Sequence, residues 1–185
     1  KGLMKAAYLD PNPVLVLEHK GLYWSKIRGT ENAKTIEPDE NYILPIGKAF
    51  KVIESEEKHE NSGESVVVIT YGRGVYWSLE ASKSFAGQIE ILDLRTLSPL
   101  DEDQILKSVK KHGKSLIVTE EPSSASFSIG IAGFIQENCF EFLDAPVKII
   151  GSENTPAIPL NENLEFTYLP NANKVQKAIS TLLEY

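Results

Sequence analysis

Apolar positions change their spacing along this chain, and the changes mark its elements. Val14-Leu15-Val16-Leu17 is a continuous apolar run of the kind a buried strand needs, preceded by Lys1–Leu9, which can form a short helix. From Gly21 to Gly47 no period is sustained, and Pro38 and Pro45 interrupt any helix. Beyond that point strand and helix patterns take turns. Phe50–Glu54 alternates like a strand with one wet face, and Glu56–Glu64, charged and carrying Asn61-Ser62-Gly63, reads as a turn. Val66–Tyr71, Ile89–Leu94, Leu116–Thr119 and Val147–Ile150 are short apolar runs, each predicted as a strand. Between them lie a helix over Val75–Phe85 and the best-marked helix of the chain, from Asp101 to His112. Asp101 can cap its start, Glu102 and Asp103 follow in the first turn, Lys110, Lys111 and His112 fill the last, and Gly113 stops it. Phe127, Ile131, Ile135 and Phe142 mark one face of a further helix. Gly130 and Gly133 inside it each cost about 1 kcal/mol relative to Ala. Val175, Ala178, Ile179, Leu182 and Leu183 fall on one face of a closing helix.

Strands alternating with helices predict an α/β fold: a three-layer α/β/α arrangement around a mostly parallel sheet. Phe50–Glu54 reaches Val66 without a crossover helix, so it is predicted as an antiparallel edge strand. Periodicity leaves the strand order open. One helix and one strand cannot bury a core alone. Residues 1–49 are therefore expected to complete a neighbouring domain and cross over to a second, at 50–185. The chain opens on Lys1 without an initiator Met or a signal peptide, and reads as part of something longer.

Composition narrows the function. With 42% apolar and 24% charged residues in 185, the chain has an ordinary globular balance. A net charge of −7 argues against a nucleic-acid surface. No apolar window is long enough for a membrane span. The lone Cys139 cannot form an internal disulfide, which fits a cytoplasmic setting.

Several residues could carry chemistry. Gly72-Arg73-Gly74 follows a strand and opens a helix, with Asp93 about 20 residues on, a partial dinucleotide fingerprint. Trp77 stands where its third glycine would be, and a plain tight turn explains the two glycines as well. His19, His59 and His112 are scattered and lack metal-ligand spacing. His19 follows an apolar run, where functional residues collect, whereas His59 and His112 read as solvated or structural. Cys139 has nothing beside it to lower its pKa and reads as an inert thiol. Glu120-Glu121 ends a strand where α/β sheets hold ligands, and could do acid–base work or simply cap and pair. In Asp10-Pro11-Asn12-Pro13 the prolines free helix-end carbonyls. Those of Ala7 and Tyr8, with oxygens of Asp10 and Asn12, could hold a hard cation, although an Asx turn accounts for the same residues.

Motifs in a fixed order carry a resemblance. Lys1-Gly2-Leu3-Met4-Lys5-Ala6-Ala7-Tyr8-Leu9-Asp10-Pro11-Asn12-Pro13-Val14, Leu17-Glu18-His19-Lys20-Gly21-Leu22-Tyr23, Tyr42-Ile43-Leu44-Pro45-Ile46-Gly47-Lys48-Ala49, Asp93-Leu94-Arg95-Thr96-Leu97-Ser98-Pro99-Leu100-Asp101, Ser108–Lys114, Asp144-Ala145-Pro146-Val147 and Tyr168-Leu169-Pro170-Asn171 together resemble transketolase-like thiamine diphosphate enzymes. Within them, the likeness is to the beta subunit of the decarboxylating component of 2-oxoacid dehydrogenases.

The resemblance implies a C-terminal domain with five strands, one of them antiparallel, preceded by the end of a pyrimidine-binding domain. It implies a parent that decarboxylates a 2-oxoacid with thiamine diphosphate and magnesium and acylates the lipoyl group of a dihydrolipoyl acyltransferase. The family's activating glutamate and catalytic histidine lie upstream of Lys1, so no catalytic or cofactor-binding residue is assigned and the isolated piece is expected to be inactive. What carries over is a potassium site at Ala7, Tyr8, Asp10 and Asn12, and docking of the acyltransferase, partly through the terminal carboxylate that Tyr185 would supply. The implied partners are an alpha subunit or region, a second beta subunit and that acyltransferase. Ser123–Phe127 replaces a Gly-rich run of many relatives, and Thr155–Pro159 lacks an aromatic residue common there. Ala125-Ser126-Phe127 resembles branched-chain (2-oxoisovalerate) enzymes more than pyruvate enzymes. Pyruvate or acetoin dehydrogenase, and a free-standing nucleotide-binding domain at Gly72–Gly74, are the alternatives.

Overall fold

The computed structural model describes residues 1–23 and 29–185, and the stretch at 24–28 of the aperiodic segment lies outside the described residues. Five strands, β1 (Phe50–Ile53), β2 (Val66–Thr70), β3 (Ile89–Asp93), β4 (Ser115–Pro122) and β5 (Lys148–Ser152), form one sheet in the order β1-β3-β2-β4-β5. β1 runs antiparallel to β3 and every other pairing is parallel. Seven α-helices are described: α1 (Gly2–Leu9), α2 (Glu57–Asn61), α3 (Gly74–Ser82), α4 (Glu102–His112), α5 (Phe127–Cys139), α6 (Glu162–Tyr168) and α7 (Ala172–Leu183).

The sheet is covered on both faces because its central strands are apolar on both. Val66 and Val68 of β2, with Ile89, Ile91, Leu116 and Val118, pack against α7 through Ala178, Ile179 and Leu182 and against Trp77 of α3. The alternate residues Val67, Ile69, Leu92 and Ile117 pack against Ile105 and Val109 of α4 and Ile131 and Ile135 of α5. α4 has the ends its sequence foretells. Asp101 Oδ1 accepts from Gln104 N at 3.4 Å, and Gly113 takes the left-handed conformation, φ 66°. Asp101 Oδ2 also accepts from Ala49 N at 2.9 Å, so one carboxylate ties the segment entering β1 to the start of α4.

One charge lies inside the apolar layer facing α4. Glu90, in β3, is fully buried. It accepts from Ser108 Oγ and from Lys111 Nζ at 3.0 Å, with Lys51 Nζ 3.3 Å and His112 Nε2 3.5 Å away. Lys111 also reaches Glu60 Oε1 at 2.8 Å, and Ser65 Oγ meets His112 Nδ1 at 2.7 Å. Burial would raise the Glu90 pKa, but His112, Ser108 and Lys111 together outweigh it and hold the carboxyl well below the usual range. The network joins β1, α2, β3 and α4 at the end of the sheet where the parallel strands begin.

Four local expectations differ from the structure. Val14–Leu17 is not a strand; it has no regular secondary structure, and Leu15 and Leu17 are 87% and 83% exposed. A strand needs a partner for its backbone groups, and no described strand lies beside it. Glu57–Asn61, inside the predicted turn, makes a short helix, α2. Phe142 falls in a 3-10 turn past the end of α5 instead of on its face. α6 has no counterpart in the apolar pattern; it is nucleated by Asn161, whose side chain accepts from Asn163 N and Leu164 N.

Replacing Glu90 with Gln should cost roughly 3–5 kcal/mol, because Lys111 and Lys51 lose their shared counter-charge in the interior. Glu90 stays ionised in the folded state below the pH at which it protonates when unfolded. Its contribution is therefore complete above the ordinary value of 4.5 and is lost as pH falls below it. Urea midpoints for wild type and E90Q measured across the acid range should converge as the pH drops.

Candidate functional site

β2 leads to α3 on one face of the sheet, whereas β4 leads to α5 on the other. The two strands are neighbours, so their connections part at their carboxyl ends. Open α/β sheets hold ligands in such a crevice. Tyr71, Gly72, Arg73 and Gly74 enter it from β2, and Thr119, Glu120 and Glu121 from β4.

The turn after β2 is tight. Gly72 has φ +58°, a left-handed backbone that a glycine takes without strain. Gly74 is a close approach: a Cβ there would overlap Thr70 Oγ1 and lie 3.0 Å from Val118 O. These two glycines serve the turn and the seating of α3 on the sheet. The first amides of α3 are used internally, Gly74 N to Tyr71 O (3.2 Å), Val75 N to Gly72 O (3.4 Å) and Tyr76 N to Arg73 O (3.1 Å). They are not arrayed toward a phosphate. Asp93, the candidate ribose acid, accepts from Arg95 N at 3.2 Å and lies 3.8 Å from Arg95 Nε. Burial raises its pKa.

The two glutamates that close β4 are paired apart. Tyr71 Oη donates to Glu121 Oε1 at 2.9 Å and meets Thr119 Oγ1 at 2.9 Å. Glu121 Oε1 also accepts from Ser128 N at 3.2 Å, near the start of α5. Burial first, then the Glu121 carboxylate, push the Tyr71 phenol up to about 12 against the opposing Thr119 contact. Glu120 turns the other way. Its Oε1 lies 3.4 Å from Arg73 Nη1, and its Oε2 accepts from His19 Nε2 at 2.9 Å. Leu22 N donates to His19 Nδ1 at 3.3 Å, which leaves Nε2 to face Glu120. The Arg73 guanidinium lies 4.9 Å over the Trp77 ring, and its buried Nε has no hydrogen-bond partner among the described residues.

Three residues far apart in sequence thus meet at one strand end: His19, Arg73 and Glu120. The arrangement fastens the segment before the sheet onto the carboxyl end of its strands. Its carboxylates are engaged by a phenol, an amide, an imidazole and a guanidinium, which makes a brace of the glutamate pair. Sequence reasoning singled out His19 and Glu120-Glu121 separately. It missed Arg73 as their partner and Tyr71 altogether. The only signal was position, an arginine and a tyrosine immediately after a buried strand.

The other candidates lie elsewhere. His112 is buried in the Glu90 network. His59 Nδ1 is 3.4 Å from Glu64 Oε2. Cys139 is buried, which raises its thiol pKa. At the end of α1, Asp10 Oδ1 accepts from both Asn12 N and Asn12 Nδ2 at 2.9 Å, an Asx turn. Pro11 and Pro13 have no N–H to offer the carbonyls of Ala7 and Leu9, and Asn12 N is turned away from Tyr8. Tyr185 is exposed at the end of the chain. Among the described residues, no three His, Cys, Asp or Glu side chains gather as a metal-ion site, and no helix is long and apolar enough to cross a membrane.

A family model described as "Transketolase, C-terminal domain" matches residues 55–175. The 2-oxoisovalerate dehydrogenase subunit beta of Bacillus subtilis (strain 168) is 37% identical over 188 residues, covering 100% of this chain and 53% of that protein. The pyruvate dehydrogenase E1 component subunit beta of Rhizobium meliloti (strain 1021) is 32% identical over 185 residues, covering 98% of this chain and 37% of that protein. This chain therefore spans about half or less of the length of these curated relatives. The solved structure of a split gene transketolase, an inactive beta4 tetramer, superposes with a TM-score of 0.62 at 18% identity. It covers 79% of this chain and 44% of that one, a likeness of fold.

Removing the imidazole with His19→Ala should speed proteolytic cleavage within residues 10–23 while moving the global urea midpoint by no more than about 0.5 kcal/mol. In an alkaline absorbance titration, Tyr71→Phe should delete a phenol that ionises only near pH 12.

Proposed function

Because this chain belongs to the transketolase C-terminal domain family, we propose that it is the C-terminal part of a beta subunit in a thiamine diphosphate-dependent 2-oxoacid dehydrogenase. In this reading the whole protein decarboxylates a branched-chain 2-oxoacid and passes the acyl group to a lipoyl carrier. The part described here works in assembly. The observation that carries the reading is the Val14–Leu17 run, apolar, outside any regular element and exposed, in a chain similar over its full length to only half of a beta subunit. An apolar strand sequence without a partner strand fits a sheet completed by the remainder of the subunit.

Thiamine diphosphate and magnesium, which would supply the carbanion-stabilising chemistry, belong in this reading to the rest of the assembly. The inward use of the α3 amides supports that assignment. The division of labour assigns residues 1–49 to the neighbouring domain and its crossover, and 50–185 to the C-terminal domain. The partners would be an alpha subunit or region, a second beta subunit and a dihydrolipoyl acyltransferase, the last engaged in part by Tyr185. Potassium would sit at the carbonyls of Ala7 and Tyr8 with oxygens from Asp10 and Asn12. The carbonyls freed at the negative end of α1 suit a hard cation. The setting we propose is cytoplasmic.

A branched-chain substrate is proposed over pyruvate on the Ala125-Ser126-Phe127 stretch, which resembles branched-chain enzymes. The whole beta subunit, purified with its alpha partner, should show kcat/KM for 2-oxoisovalerate at least about tenfold above that for pyruvate. A preference for pyruvate would replace the branched-chain assignment with the pyruvate one. Absence of turnover with either acid would overturn the enzyme reading.

A further inference from the structure

At the end of the sheet away from β1, β5 is paired with β4 alone among the described strands. A groove of about 350 Å³ runs along β5, lined by the consecutive residues Lys148–Gly151, by Ser123 past the end of β4, and by Lys174, Lys177, Ala178 and Thr181 of α7. Successive strand residues point to opposite faces. A groove touching four in a row therefore tracks the strand's backbone edge. Ile149 and Ile150 are half-buried along it.

Its charge runs against that of the molecule. The chain carries −7 overall, yet three lysines border this groove, with Glu153 the one carboxylate among the residues lining it. Lys174 Nζ donates to Thr167 O at 2.6 Å and lies 3.9 Å from Glu153 Oε1. Lys148 and Lys177 form no ion pair with a described residue. A lysine on an edge strand commonly serves to repel stray strands. Here two of the three stand on the neighbouring helix, Lys174 and Lys177, so the groove has ammonium groups on both of its walls.

We propose that the β5 edge and α7 form a docking groove for an acidic, extended segment of a partner polypeptide, which adds to the sheet as a sixth strand beside β5. The main chain of the segment would pair with the β5 edge, its acidic side chains would meet Lys148 and Lys177 on the α7 face, and its alternate apolar side chains would cover Ile149 on the other face. The five residues of β5 offer about 16 Å of edge, enough for a segment of about five residues. This inference stands apart from the proposed enzymatic role and survives if that role fails.

The test uses the full chain and a fluorescein-labelled hexapeptide of alternating glutamate and valine, followed by anisotropy. Saturable binding is expected, together with slowed amide exchange across Lys148–Ser152. K148E/K177E should weaken binding at least about tenfold, and both side chains belong to well-formed elements, so an unchanged circular dichroism spectrum shows the variant folded. Methylating alternate peptide nitrogens should abolish binding, because strand addition needs those donors. Absence of saturable binding up to about 1 mM would overturn the proposal. So would binding indifferent to N-methylation, which would mark a charge patch, or equal displacement by oligothymidylate, which would mark a general polyanion site.

Discussion

Strand β2 has no wet face. All five of its residues are buried, and a strand buried on both sides obliges the chain to supply apolar helices above and below it. The rest of the architecture answers that demand. α3 and α7 close one face, α4 and α5 close the other, and the chain must leave β2 and β4 in opposite directions to do so. The crevice at their carboxyl ends follows from the same requirement. The sheet's geometry creates the place where open α/β sheets hold ligands, and here Tyr71 meets Glu121 and His19 and Arg73 meet Glu120 at its rim.

The two ends of the sheet are treated differently. Where the parallel strands begin, Glu90 draws Lys51, Lys111, Ser108 and His112 into a buried network. A buried ionic cluster of this kind adds little net stability over apolar packing but punishes any misplacement of its members. It therefore sets how β1, α2 and α4 sit against β3. At the other end, the same device in a half-exposed form reaches out to His19 and holds the incoming segment. One network orders the domain internally, and the other connects it to what precedes it.

What could be read beforehand followed the range of the forces involved. α4 was legible because its cap at Asp101, its charge order and its stop at Gly113 are local, and α7 because five apolar residues share a face. The five strands and the antiparallel edge were legible from short apolar runs and a missing crossover. The strand order was not, because pairing depends on contacts between distant residues. The site shares that limit. His19 and Glu120 are 101 positions apart, and nothing in either neighbourhood names the other. Val14–Leu17 differs for the opposite reason. Its local pattern is that of a buried strand, but burial is a property of partners, and no described strand lies beside it.

The central claim is that this chain is an assembly half whose first segment belongs to a sheet continued elsewhere in the subunit. Amide hydrogen exchange at Val14–Leu17, compared between this chain and the complete beta subunit, tests it most directly. The account predicts rapid exchange in the chain alone and protection by at least about a hundredfold in the complete subunit, as strand pairing requires. Rapid exchange in both would contradict it.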